Sequence, residues 1–184
     1  MKFNTKVIHG GQHHDPSTGA VMPPVYQTST FVQTSPGQPL NPDYEYSRAA
    51  NPTRSALENA LASIENGTRG LAFSSGLAAT DCVLRSFKAG DEIIAMDDLY
   101  GGTHRMFTRI YANSGIKFHF VDMNDLAKFE SLINENTKLV WVETPTNPLM
   151  KIADIAEIAK ITKKHKILFA VDNTFATPYL QKPL

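Results

Sequence analysis

The sequence predicts an α/β fold, a parallel sheet covered by helices, preceded by an extended arm. Three observations carry this. From Asn51 onward, short apolar runs alternate with stretches of helical period. Several of the short runs, such as Ile167-Leu168-Phe169-Ala170-Val171, are apolar and β-branched, as strands buried on both faces of a parallel sheet must be. Residues 1–50 show neither pattern. They are rich in Gly, Pro, Ser, Thr and Gln, yet carry Val25, Tyr26, Phe31, Tyr44 and Tyr46, too many large apolar groups for a solvated tail. Residues 1–50 are therefore expected to be an arm packed on another surface, with a second subunit as a candidate. Residues 51–184 are expected to be the α/β domain.

The elements follow in order. Asn51 can cap a helix that begins at Pro52, with Leu57, Leu61 and Ile64 at helical spacing and Gly67 as its stop. Gly70–Ser74 is a predicted strand, and Ser75 opens a helix that runs through Val83 and Leu84 and ends at Gly90. Then come strand Glu92–Met96, helix Gly101–Asn113 stopped by Gly115, strand Ile116–Val121, helix Asn124–Ile133 and strand Leu139–Val142. Helix Ile152–His165 turns Ile155, Ile158 and Ala159 inward, and Lys163, Lys164 and His165 complement the dipole at its end. Strand Ile167–Val171 closes the series, and the alternation implies right-handed crossovers. The segment Thr177–Leu184 shows no capping pattern, and a sheet stopping at Val171 would leave an open edge. The natural domain is expected to continue past Leu184.

Composition excludes several classes. Eighteen Lys and Arg balance eighteen Asp and Glu, so nucleic acid is not expected as a bulk electrostatic partner. No apolar run approaches the roughly 20 residues that span a bilayer. Met1–His9 lacks the apolar core of a signal peptide, and the single cysteine, Cys82, can form no internal disulfide. A cytoplasmic location is expected, with Cys82 as a small core residue. His9, His13, His14, His104, His119 and His165 lack ligand spacing, so no metal is expected.

In open α/β sheets, ligands sit outside the carboxyl ends of the strands. Four segments converge there: Ser74-Ser75-Gly76-Leu77, Asp97-Asp98-Leu99-Tyr100-Gly101-Gly102-Thr103, Glu143-Thr144-Pro145-Thr146-Asn147-Pro148 and Asp172-Asn173-Thr174-Phe175. Ser75-Gly76-Leu77 at a helix start can cradle a phosphate on backbone N–H groups, or merely cap the helix. Asp172 ends an apolar strand, where a lone carboxylate needs a partner. A protonated pyridine nitrogen, a metal or a helix start would each serve. Tyr100, beside two glycines, can stack on an aromatic ring or sit on a loop rim. Tyr46-Ser47-Arg48 offers a phenol and a guanidinium fork suited to phosphate oxygens, although a surface arginine would look the same. No Gly-x-Gly-x-x-Gly or Walker-type Gly-Lys-Ser/Thr is present, which removes the main support for dinucleotides and nucleoside triphosphates.

Taken as an ordered set, Tyr46-Ser47-Arg48-Ala49-Ala50-Asn51-Pro52-Thr53, Ser74-Ser75-Gly76-Leu77-Ala78-Ala79, Asp98-Leu99-Tyr100-Gly101-Gly102-Thr103, Glu143-Thr144-Pro145-Thr146-Asn147-Pro148 and Val171-Asp172-Asn173-Thr174-Phe175-Ala176-Thr177-Pro178 resemble the first half of the cystathionine γ-synthase and γ-lyase family of Cys/Met-metabolism enzymes. The resemblance implies an aspartate-aminotransferase-like (fold type I) large domain, pyridoxal 5'-phosphate (PLP) as cofactor, and tetramers built from tight dimers. It implies that Ser75, Gly76 and Leu77 hold the cofactor phosphate. Tyr46 and Arg48 would reach the phosphate in a neighbouring subunit's site. Tyr100 would stack on the pyridine ring and serve in proton transfer, Asp172 would pair with the ring nitrogen, and Asn147 would orient the substrate carboxylate or the ring oxygen.

One departure matters. The Schiff-base lysine of the family follows a Ser-Ala-Thr stretch that does not occur here, and Lys182 lies too close to the Asp172 strand to replace it. The substrate-carboxylate arginine of the carboxyl-terminal domain is absent as well. The 184 residues alone are expected to be inactive, either a piece of a longer enzyme or a non-catalytic remnant. For the complete protein the resemblance implies γ-replacement on an activated homoserine ester by cysteine, with cystathionine γ-lyase, then methionine γ-lyase and cystathionine β-lyase, as alternatives.

Overall fold

The computed structural model describes residues 1–184, which form two compact units, Met1–Ala72 together with Leu184, and Phe73–Pro183. In the first unit the arm carries more regular structure than its composition suggests. Helix α1 spans Phe3–His9, and strands β1 (Gln33–Ser35) and β2 (Gln38–Pro39) pair antiparallel around Gly37, whose φ of 74° suits a residue without Cβ. These elements are too short for a hydrophobic period to show in sequence. Asp15 orders the chain between them. Its Oδ1 accepts from the N–H and hydroxyl groups of Ser17 and Thr18, and its Oδ2 from the Tyr26 hydroxyl at 2.8 Å. The Ser17 hydroxyl first, then Tyr26 and Thr18, hold the Asp15 carboxyl far below the usual carboxylate range.

Helix α2 (Pro52–Glu65) starts where the sequence places it, with the Asn51 side chain accepting from the Thr53 N–H at 2.9 Å and proline in the first turn. It ends one residue before the expected glycine: Asn66 takes the left-handed conformation, with φ 58°, and the Gly67 N–H returns to the Ala62 carbonyl at 2.9 Å. Asparagine tolerates that region well enough to end a helix. The face of α2 that meets α1 is the one bearing Asn59 and Ser63. A Cβ on Gly11 would stand 2.3 Å from the Asn59 carbonyl oxygen, so glycine allows the two helices to approach. Leu57 and Leu61, which predicted a buried stripe, remain 52% and 40% exposed in the single chain.

The second unit is a four-stranded, all-parallel sheet in the order β4-β3-β5-β6, formed by β3 (Glu92–Met96), β4 (Lys117–Val121), β5 (Thr137–Glu143) and β6 (Leu168–Asp172). Every residue of β3 is buried, as is all of β5 but Lys138. The core runs from Leu84 and Ile93–Met96 through Phe107 and Phe129 to Val140, Val142 and Ile158. The covering helices are α3 (Gly76–Leu84), α4 (Gly101–Met106), α5 (Leu126–Ser131) and α6 (Ile155–His165). Helices α5 and α6 begin later than expected because Asp125 and Asp154 cap them, accepting from the Lys128 N–H at 3.0 Å and the Glu157 N–H at 3.1 Å.

Four other expectations fail for physical reasons. Gly70–Ser74 is not a strand: no neighbouring chain pairs with it, and extended backbone without a ladder is only coil. The helix after Ser75 stops at Leu84, and the chain to Gly90 turns through single-turn bonds from Ser86 to Val83 and from Phe87 to Leu84. The helix expected over Gly101–Asn113 changes to a π-helix over Phe107–Tyr111, closed by the Ala112 N–H on the Phe107 carbonyl at 2.9 Å. There Phe107 stacks on Phe118 with ring centres 4.7 Å apart. Cys82 is exposed, not core. Helix α3 buries Thr80 and Leu84, and a residue two positions from each points to the opposite side. A short helix α7 (Thr177–Leu180) follows β6 where no element was expected. No helix is long and apolar enough to cross a membrane.

Candidate cofactor site

The strand order creates the site. The chain leaves β3 toward β4 on one side, whereas it leaves β5 toward β6 on the other. The two connections part at the carboxyl ends of β3 and β5, where such sheets open a crevice. A cavity of about 320 Å³ lies there, within the range for small-molecule sites. A wider groove of about 680 Å³ is found among the residues that begin β5 and β6, walled by Lys88, Asp91 and Lys138. It holds none of the motif residues, and ligands of such sheets bind at the other end.

At one wall Ser75, in extended conformation, caps α3 by accepting from the Ala78 N–H at 3.1 Å. The N–H groups of Gly76 and Leu77 precede the first intrahelical bond and stay available to a ligand. No acidic residue lies in the first turn, and a Cβ on Gly76 would meet nothing within 4 Å, so an anion can approach the backbone closely. Thr80 lines the same wall and donates its hydroxyl to the Gly76 carbonyl at 3.0 Å.

Tyr100 stands at the start of α4, 46% exposed, with its ring over Gly102. A Cβ on Gly102 would lie 2.4 Å from Tyr100 Cε1, so only glycine admits the ring in this position. Asp172 ends β6. Its Oδ1 accepts from the Thr174 N–H at 3.1 Å and from the Thr174 hydroxyl, which leaves Oδ2 for an outside donor. Asn147 and Phe175 complete the lining together with Pro145, Thr103 and Thr174.

Glu143 is the residue that sequence reasoning missed. It ends β5, is 4% exposed and lines the cavity. Its Oε2 accepts from the Tyr100 N–H and its Oε1 from the Asn147 N–H, each at 2.8 Å. Burial pushes its carboxyl above the ordinary value; the two N–H groups oppose that shift, while the charges of Asp172 and Asp98 add to it. The signal was present, because an acidic residue ending the apolar run of β5 has the same logic as Asp172 ending β6. The loop after Glu143 is pinned further by Asp98, whose Oδ2 accepts from the Leu149 N–H at 3.0 Å and from the Thr146 hydroxyl.

Of the residues expected from the sequence, Ser75, Gly76, Leu77, Tyr100, Asn147 and Asp172 line this one cavity. Tyr46 and Arg48 belong to the first unit, where the Arg48 guanidinium lies 4.4 Å over the Tyr46 ring. No group of three or more His, Cys, Asp or Glu side chains is placed to hold a metal ion. The donor set fits PLP. A helix start with free N–H groups suits a phosphate, an accessible phenol ring suits a flat heteroaromatic, and a carboxylate with a spare oxygen suits a protonated ring nitrogen.

Comparison with known proteins agrees. Residues 4–184 match the family model described as Cys/Met metabolism PLP-dependent enzyme. The chain is 53% identical over 182 residues to the cystathionine beta-lyase of Lactococcus lactis subsp. cremoris, covering 99% of this chain and 47% of that protein. It is 48% identical over 181 residues to the cystathionine gamma-synthase of Mycobacterium leprae, covering 98% of this chain and 46% of that protein. The crystal structure of cystathionine gamma-lyase from Lactobacillus plantarum complexed with L-serine superposes with a TM-score of 0.95 at 50% identity, covering 100% of this chain and 47% of that one. The chain spans about half the length of the curated relatives it matches, and its fold is that of the aspartate-aminotransferase-like, fold type I large domain. A match along nearly the whole chain shows that the chain belongs to the family of Cys/Met metabolism PLP-dependent enzymes.

Proposed function

We propose that the protein carrying this chain is a trans-sulfuration enzyme that breaks or exchanges the β- or γ-substituent of an amino acid held at this cavity. The observation that supports it most is the meeting in one cavity of a phosphate-type helix start, the Tyr100 ring and the Asp172 carboxylate. PLP, when bound, supplies an electron sink for a carbanion. The residues of this chain do the rest. Ser75, Gly76 and Leu77 hold the phosphate. Asp172 Oδ2 keeps the ring nitrogen protonated. Tyr100 stacks on the ring and carries a proton at its hydroxyl. Asn147 orients the substrate carboxylate or the ring oxygen.

Within that class, cleavage of cystathionine is the first reading, because the beta-lyase relative is 53% identical and the gamma-lyase structure 50%. Exchange of the γ-substituent of an activated homoserine ester for cysteine sulfur, in methionine biosynthesis, is the second. It is favoured by the γ-synthase resemblance of the motifs and by the gamma-synthase relative at 48%. The protein is further proposed to be a cytoplasmic homotetramer, a dimer of dimers in which Tyr46 and Arg48 reach the phosphate of a neighbouring subunit. No lysine lines the cavity, so residues 1–184 alone are proposed to hold PLP reversibly and to lack turnover.

One experiment tests this. A protein of family length that carries this chain is loaded with PLP and given either cystathionine, or a homoserine ester with cysteine. Pyruvate from the first identifies β-cleavage, 2-oxobutyrate identifies γ-cleavage, and cystathionine from the second pair identifies synthesis. No product from either would overturn the proposal. Residues 1–184 alone, treated with PLP and borohydride, are expected to keep their unmodified mass; a stoichiometric adduct with turnover would reverse that part.

A further inference from the structure

We propose that Glu143 is a positioning residue of the cofactor site, setting the places of Tyr100 and Asn147 over one cavity through their backbones. The proposal rests on the assignment of the cavity to PLP and names what aligns it. Tyr100 lies on the turn after β3, and Asn147 on the loop after β5. These two loops leave the sheet in opposite directions, and Asp98 on the first already holds Thr146 and Leu149 on the second. Glu143 is the bridge that reaches the cavity residues Tyr100 and Asn147 themselves. One carboxylate oxygen holds the Tyr100 N–H and the other the Asn147 N–H, both at 2.8 Å, across 43 and 4 residues of sequence.

Neither of those N–H groups donates to any other acceptor. Tyr100 precedes the first turn of α4, where N–H groups have no intrahelical partner. Asn147 sits in a loop between two proline residues, Pro145 and Pro148. The carboxylate is itself buried and faces Asp172 at the last rung of the β5–β6 ladder. A buried acid opposite a second acid is unfavourable unless something uses it. Its two oxygens are taken up by the backbones of two cavity residues, which accounts for a carboxylate here where glutamine would offer only one acceptor oxygen. Displacement of a positioning group by about 1 Å can cost on the order of 100-fold in rate.

The test uses the family-length protein and the variants Glu143→Gln and Glu143→Asp. Hydrogen–deuterium exchange of apoprotein peptides containing Tyr100 and Asn147 reads the geometry without cofactor. Circular dichroism of bound PLP reads ring orientation, and steady-state kinetics separates kcat from KM. In Glu143→Gln, faster amide exchange at Tyr100 or Asn147 is expected, together with an altered cofactor signal and a fall in kcat of about 100-fold. Glu143→Asp, which keeps the charge, should recover part of each. Unchanged exchange and unchanged kcat in Glu143→Gln would overturn the proposal, as would lowered thermal stability with parental kcat. If Glu143→Gln does not fold, the same readings on Glu143→Asp decide. If the parent binds no PLP but exchange responds as stated, the cofactor assignment fails and the bridging role stands.

Discussion

The Tyr100 ring and Gly102 are in such close contact that a methyl group on the glycine would stand 2.4 Å from Tyr100 Cε1 and 3.1 Å from a methyl of Leu77. Gly102 is the second residue of α4, where alanine would favour the helix by up to about 1 kcal/mol. The same alanine would push the ring out of place. Gly102→Ala is therefore expected to leave the thermal midpoint unchanged or raised, while PLP affinity falls about two- to tenfold, the size of a lost stacking contact. Titration of PLP into apoprotein, beside a melting curve, checks both signs.

Asp172→Asn keeps the shape of the strand end and removes the charge. The Thr174 bonds to Oδ1 have an acceptor in either residue, so the fold should persist. Turnover is expected to fall on the order of 10²–10³-fold, because the ring nitrogen loses its anionic partner. Activity within a few-fold of the parent would remove Asp172 from that role.

Arg48 lies exposed over Tyr46 in the single chain. If it reaches a neighbouring subunit's phosphate, Arg48→Ala costs a charge-assisted bond worth roughly 1.5–3 kcal/mol, or a ten- to hundredfold loss of PLP affinity. Retained affinity in the oligomer would show that the guanidinium serves only the arm.

Like Asp15 in the first unit, Glu92, which begins β3, is expected to contribute to acid sensitivity. The side-chain amide of Asn134 first, then His119 and Lys117, hold its carboxyl down at about 2 against an ordinary value of 4.5. A depressed folded-state value means that stability is fully present above about 4.5 and drains away as pH falls toward about 2. Glu92→Gln is expected to lose roughly 1–3 kcal/mol near neutral pH and to show a flatter decline over that acid window. Thermal midpoints of both proteins at several pH values make the comparison.

The α/β class was legible because buried parallel strands leave uninterrupted apolar runs, and β3 and β5 are such runs. The cap at Asn51 was legible because its chemistry is local. Tyr100, Asn147 and Asp172 could be picked out because each follows an apolar run at a strand's carboxyl end, and Ser75 because Ser-Gly is a local helix-start signal. Cys82 was misplaced because a nine-residue helix with a weak apolar stripe does not say which side faces the sheet. The 70–74 segment was misplaced because extended sequence becomes a strand only where a partner strand exists.

By itself, then, the sequence determined the local propensities, the strand cores and the residue types at each strand end, since all of these depend on near neighbours in the chain. The tertiary structure decided the strand order β4-β3-β5-β6, the crevice that this order opens, and the bridge from Glu143 to Tyr100. Those three join groups tens of residues apart. Only the packing of the sheet brings a buried carboxylate within 2.8 Å of a backbone N–H that has no other acceptor.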